Sequence, residues 1–143
     1  MTEASADTAA TGRVARCNCG ALSAATTGDP VGVAMCSCAA CQRRTGSAFA
    51  YVSFWHVDQV TLTGEPTRWT RVADSGQTMQ HFFCPTCGTG LWSRGRRPHI
   101  VSIPAGCFVD RDFPPPERAV WSSLRHDWID EIEGIPAHAE EPR

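Results

Sequence analysis

Seven of the eight cysteines fall into three tight clusters: Cys17-Asn-Cys19-Gly20, Cys36-Ser-Cys38-Ala-Ala-Cys41 and Cys84-Pro-Thr-Cys87-Gly88. Cysteines one or two residues apart rarely meet the Cα separation and side-chain orientation that a disulfide needs. They can readily share one ion, because Zn²⁺ takes thiolates at about 2.3 Å in a tetrahedron and two neighbouring cysteines supply half of it. Seven ligands divide into a closed set of four and an open set of three. The open set is where chemistry could occur, and bound metal would carry much of the stability.

A chain of 143 residues, 42% of them hydrophobic, has the size of one compact domain. The formal charge of −2 and a sequence pI near 6.2 give no general attraction for a polyanion, so nucleic acid is a poor default partner. Local basic patches remain at Arg43 and Arg44 and at Arg94, Arg96 and Arg97. Residues 1–12 lack the basic start and apolar run of a secretory signal, and no later stretch is long and apolar enough to cross a bilayer. The expectation is a cytoplasmic protein whose cysteines stay reduced and free to bind metal. An extracellular disulfide scaffold is the rival reading.

The polar ends, residues 1–12 and 137–143, read as disordered tails on a zinc-binding domain spanning 13–136. Within it, strands are expected at 13–17, 21–27, 31–36, 48–55, 60–63, 67–72, 79–83, 90–93 and 99–103, between turn residues such as Gly20 and Gly28-Asp29-Pro30. Residues 38–44 lack β-branched side chains and stop before Thr45-Gly46, which suggests a short helical turn. Pro114-Pro115-Pro116 makes 110–117 an extended strap, since consecutive prolines remove donors and block helix and central strand alike. Residues 118–135, with Trp121 and Trp128, are too apolar for a tail and should return to the core. The pattern is all-β or mainly β.

Gly20 and Gly88 each follow a cysteine pair, where a positive φ lets backbone N–H groups turn toward sulfur. Cys17, Cys19, Cys84 and Cys87 therefore pair as one structural four-sulfur site. Cys36, Cys38 and Cys41 come from one segment with no adjacent fourth ligand, as in catalytic zinc sites that keep one position exchangeable. Cys107 or one of His56, His81, His99 and His126 could instead close that set. Cys107 alone reads as a small buried hydrophobe. Three thiolates on Zn²⁺ leave a net charge of −1, which Arg43 or Arg44 could balance while also binding substrate carboxylates. Phe49, Tyr51, Phe54, Trp55, Trp92, Trp121 and Trp128 could wall a pocket but are expected chiefly in the core. Trp128 is also a candidate substrate contact, and neighbouring His126 or Asp127 a candidate proton carrier.

Taken in order, Cys17-x-Cys19-Gly20, Cys36-x-Cys38-x-x-Cys41-Gln-Arg-Arg-Thr-Gly46-Ser-Ala-Phe49 and Phe83-Cys84-x-x-Cys87-Gly88 resemble the glutathione-dependent formaldehyde-activating enzyme family, also grouped with centromere protein V. The likeness continues through Ala105-Gly106, Asp110, Phe113-Pro-Pro-Pro and Trp121-Ser-Ser-x-x-x-x-Trp128. It departs at Ser37, where many members carry histidine, and at Gln42, where some carry arginine; neither change removes a ligand. The resemblance implies a β-tent, a set of small antiparallel sheets held by zinc, with short helical turns. It implies two zinc ions per chain: a structural one on Cys17, Cys19, Cys84 and Cys87, and one that could be labile on Cys36, Cys38 and Cys41. The function it implies is a carbon-sulfur lyase resembling S-(hydroxymethyl)glutathione synthase, joining or separating a small thiol such as glutathione and a small aldehyde such as formaldehyde. The alternative from another class is a non-catalytic zinc-stabilised module that binds a thiol, peptide or protein. A nucleic-acid-binding zinc ribbon would rest on the clustered arginines alone.

Overall fold

The structure is a computed structural model that describes residues 12–130 and 134–140. The elements follow as β1 (Gly12–Arg16), β2 (Ser23–Thr27), β3 (Gly32–Cys36), α1 (Ala39–Thr45), β4 (Ala50–His56), β5 (Val60–Thr63), β6 (Thr67–Val72), β7 (Thr78–Phe83), β8 (Gly90–Arg94), β9 (Ile100–Pro104) and β10 (Arg118–Val120). Each strand expected from the sequence appears within a residue or two of its bounds, and the helical turn at 38–44 becomes α1. The fold is mainly β.

Two sheets form among the described residues. One has three strands in the order β1-β2-β5, the other seven in the order β10-β3-β4-β9-β8-β7-β6. In the larger sheet the register puts Val33, Ser53, Ile103, Trp55, Val101, Trp92 and Phe82 on one face. That face joins Ala15 and Ala24 of the smaller sheet, and Leu22 just before β2, in one core. Trp55, Leu22, Leu91 and Ile103 are completely buried, each worth roughly 1.5–3 kcal/mol of transfer free energy. The opposite face carries Cys36, Phe54, Ser102, Ser93, His81, Trp69 and Arg71.

One strand departs from the antiparallel expectation: β10 pairs parallel with β3, Arg118 opposite Ala34 and Val120 opposite Cys36. The cause is the strap. A parallel partner needs a crossover, and the proline run carries the chain across the core before it re-enters the sheet. Phe113 is buried there, stacked on Phe108 at 4.9 Å, Tyr51 donates its hydroxyl to the Pro114 carbonyl, and the Glu117 N–H donates to the Val33 carbonyl at 2.9 Å. Arg13 lies over the Phe113 ring at 5.1 Å and reaches Asp110 at 3.4 Å.

The ends also differ from the sequence reading. Gly12 already belongs to β1, and the rest of the N-terminal tail lies outside the described residues. Residues 137–140 are docked: Ala137 bridges Ala119, the His138 N–H donates to the Ala119 carbonyl at 2.7 Å, and Ser122 and Ser123 donate to the His138 and Ala139 carbonyls. Their polar side chains suggested a tail, but these bonds are made by the backbone, which composition does not report.

Candidate metal centre

Cys17, buried, directly follows β1, Cys19 lies in the turn after it, and Cys84 and Cys87 lie on the loop between β7 and β8. The four sulfurs lie within 4.8 Å of one another. Cys17 to Cys19 measures 3.7 Å and Cys19 to Cys84 3.6 Å. Tetrahedral zinc with sulfurs at about 2.3 Å would set them about 3.8 Å apart, so the donor set fits the ion. The site joins the two sheets, one pair of cysteines from each. Gly20 at φ 83° and Gly88 at φ 80° take the positive φ that the turns require.

Backbone N–H groups point at two of these sulfurs. The Leu22 N–H donates to Cys17 Sγ at 3.2 Å, and the N–H groups of Thr86 and Cys87 donate to Cys84 Sγ at 3.4 and 3.5 Å. The Leu22 bond holds the Cys17 thiol below its ordinary range, and the Thr89 hydroxyl and N–H bring Cys87 down to about 5. Both shifts favour the thiolate, the form that binds metal.

The second cluster sits where β3 passes into α1. Cys36 ends the strand and Cys38 caps the helix, accepting from the Cys41 N–H at 3.3 Å. Cys41 is thereby turned back toward the other two. The three sulfurs lie within 4.8 Å of one another, and no fourth His, Cys, Asp or Glu joins them among the described residues. Contacts from the Cys36 and Cys41 thiols, with the N–H groups of Cys41 and Ala40, pull Cys38 down to about 2. Cys36, donating to Cys38 and partly buried, is pushed up.

The residues that could have closed this set lie elsewhere. His56 stacks on His99 at 6.0 Å. His126 Nε2 lies 2.8 Å from Gln42 Oε1, and Cys107 packs on the core with its Sγ 3.7 Å from the Gly90 carbonyl. Burial raises the Cys107 thiol, in keeping with the small hydrophobe expected there. His81 bonds Ser93 through Nδ1 at 2.8 Å.

Arg44 Nη2 lies 3.7 Å from Cys41 Sγ, which places one expected cation against the cluster. Arg43 is exposed on the same helix. Trp128 is 74% exposed rather than in the core, because its ring stands edge-on against His126 at 6.1 Å instead of entering the apolar layer. Phe49, Tyr51, Phe54 and Trp121 are partly buried, while Trp55 and Trp92 are core residues as expected.

Sequence reasoning missed Gln42. Its Nε2 donates to the carbonyls of Ser37 at 2.8 Å and Leu124 at 3.1 Å, tying α1 to the Cys36–Cys38 loop and to the segment bearing His126 and Trp128. Only its position next to Cys41 could have signalled that role. It also missed the neighbourhood of His81, where burial first, then the charges of Arg44 and Arg71, lower the imidazole to about 4.

A mainly β chain whose cysteines gather at a sheet junction and at a helix start defines a protein with thiol centres that could hold zinc. The chain matches the model of the glutathione-dependent formaldehyde-activating enzyme family over residues 12–124, and it belongs to that family. It is also similar in fold to a crystal structure of a Rhodobacter sphaeroides protein, at 16% identity and a TM-score of 0.53, covering 87% of this chain and 98% of that one. Among the described residues no helix is long and apolar enough to cross a membrane.

Proposed function

We propose that the chain is a zinc-dependent carbon-sulfur lyase-type enzyme, resembling S-(hydroxymethyl)glutathione synthase, that handles adducts of a small thiol such as glutathione and a small aldehyde such as formaldehyde. The observation that carries this reading is the second cluster: three converging thiols without a fourth side-chain donor among the described residues, beside an arginine. Cys17, Cys19, Cys84 and Cys87 would hold a structural zinc, and Cys36, Cys38 and Cys41 a second one. Zinc at the second set would supply a fourth position where a substrate thiol is kept deprotonated near neutral pH.

The chain's own residues do the remainder. Cys38, fixed by the Cys41 N–H, and Gln42, bonded to the Ser37 carbonyl, hold the three sulfurs in one orientation. Arg44 at Cys41 offsets the excess negative charge and offers a carboxylate partner, with Arg43 on the next position of the helix and Trp128 beyond His126. In the forward direction the thiol sulfur bonds to the carbonyl carbon, the C=O π pair moves to oxygen, and that oxygen takes a proton. His126, whose Nε2 lies 2.8 Å from Gln42 Oε1, would carry to that oxygen the proton that the thiol gives up. A cytoplasmic setting would keep all eight cysteines reduced, as they stand here.

Thiols add to formaldehyde without help, so the protein has a small barrier to lower. The test is the rate of adduct formation and breakdown by NMR exchange with stoichiometric zinc-loaded protein. Faster exchange than in buffer, lost in Cys38→Ser, is expected. An unchanged rate would leave the non-catalytic binding module as the correct reading.

A further inference from the structure

The larger sheet has two edges, β10 and β6. The chain itself closes β10: the Ala119 N–H donates to the Pro136 carbonyl at 3.0 Å, and the His138 N–H donates to the Ala119 carbonyl at 2.7 Å. β6 has β7 on one side, and among the described residues no backbone bond reaches its other side. An open edge presents a row of backbone donors and acceptors that templates a further strand, and natural edges are blunted by proline, bulges or brevity. β6 has none of these. It runs six residues, Thr-Arg-Trp-Thr-Arg-Val, and pairs with β7 in unbroken register from Thr67 opposite Phe83 to Val72 opposite Thr78.

The side chains of β6 suit this edge to one partner. Every residue but Arg71 is exposed, including two large apolar ones, Trp69 at 54% and Val72 at 68%. His81 on β7 stacks on the indole at 5.9 Å and 24°, so the face of the ring turned away from β7 is the bare one. Arg68 and Arg71 carry the charge of the strand, and like charges directly opposite one another are destabilising. A second copy avoids that clash by symmetry. About a two-fold axis normal to the sheet, antiparallel edges pair residues that share a face, and these lie an even number of positions apart. Arg68 and Arg71 are three apart, so with the axis at Trp69 or Thr70 no arginine faces an arginine. With the axis at Thr70, Trp69 of each copy faces Arg71 of the other, and Arg68 faces Val72. The guanidinium then covers the bare face of the indole in a cation–π contact, and the aliphatic stem of Arg68 covers the exposed valine. With the axis at Trp69, Val72 is left outside the ladder.

We propose that two copies of the chain join through β6, antiparallel about an axis at Thr70, so that their larger sheets become one continuous sheet. Growth of that sheet stops at two copies, because both use the same edge and the opposite edge is closed. The three-cysteine centre follows β3, five strands from β6 in the strand order. The interface does not use that centre, and the inference is independent of the reaction proposed above.

Sedimentation velocity on the full zinc-loaded chain, over a concentration series, tests this. A monomer–dimer equilibrium is expected, and Trp69→Ala should weaken it at least about tenfold. Val72→Arg, which sets like charges opposite one another at both ends of the ladder, should weaken it about three- to tenfold. Val72→Glu, which sets a carboxylate against Arg68, should tighten it about threefold, and salt should shrink both Val72 effects. Val72 packs on little, so these two variants keep the fold, which far-UV circular dichroism and zinc content verify. A monomer at every concentration overturns the proposal and leaves β6 to an extended strand of a different protein. A dimer indifferent to Trp69→Ala, or one that Val72→Arg and Val72→Glu shift alike, overturns it as well.

Discussion

Ser53 ties the core to the strands that carry the outer face. It is fully buried, donates its hydroxyl to the Ile103 carbonyl at 2.7 Å and accepts from Trp55 Nε1 at 2.8 Å. Ser53→Ala removes one atom and leaves two polar groups facing apolar surroundings. An orphaned buried donor costs about 1–3 kcal/mol, and the lost bond to the carbonyl contributes about 0.5–1.5 kcal/mol more. The expected destabilisation is therefore about 2–4 kcal/mol, with little cavity contribution. Urea unfolding at saturating zinc measures it, with an unchanged m value showing that the native and unfolded states keep their compactness. Trp55→Phe has no N–H to orphan. In that background Ser53→Ala should cost at least about 1 kcal/mol less than in the wild type, a coupling a double-mutant cycle isolates. A single-mutant cost under about 0.5 kcal/mol, or strictly additive mutants, would refute the buried-donor argument.

Val109 sits at φ 49° and is 90% exposed, so Val109→Asn should relieve left-handed strain at no cost in burial and raise stability by about 0.5–1.5 kcal/mol in thermal unfolding. His81 is lowered from 6.5 to about 4, burial being the leading cause. Between those values the unfolded chain binds a proton that the folded chain refuses, so this residue makes stability fall as pH drops. The urea midpoint of wild type should decline more steeply than that of His81→Gln over that window, and parallel curves would count against the assignment. At the four-cysteine centre, Cys84→Ser should lower zinc content by one ion and unfold the chain at ambient temperature, read by far-UV circular dichroism.

Much of the fold could be read from local signals. The strand runs, the Gly20 and Gly88 turns and the proline strap each depend on a few neighbouring residues, and the cysteine spacing brought Cys17 and Cys19 to Cys84 and Cys87. What escaped depends on register or on backbone bonding. The parallel pairing of β10 requires knowing where the strap lands, and the docking of residues 137–140 uses backbone carbonyls and amides, which are there whatever the side chains. Trp69 and His81 stack only because β6 and β7 pair in one register, so nothing in their separate surroundings announces the contact. Trp128, expected in the core as an indole in an apolar stretch, is exposed because its ring meets His126 instead of the apolar layer.

The central claim is that the two thiol centres are unequal: one closed by four sulfurs, the other left with a place for a substrate. Zinc release to a colorimetric chelator, followed in time on protein of known metal content, tests this most directly. Two zinc ions per chain are expected, one leaving quickly and shielded by added glutathione, the other leaving only as the protein unfolds. Two ions released together at the slow rate, with no effect of glutathione, would contradict the account.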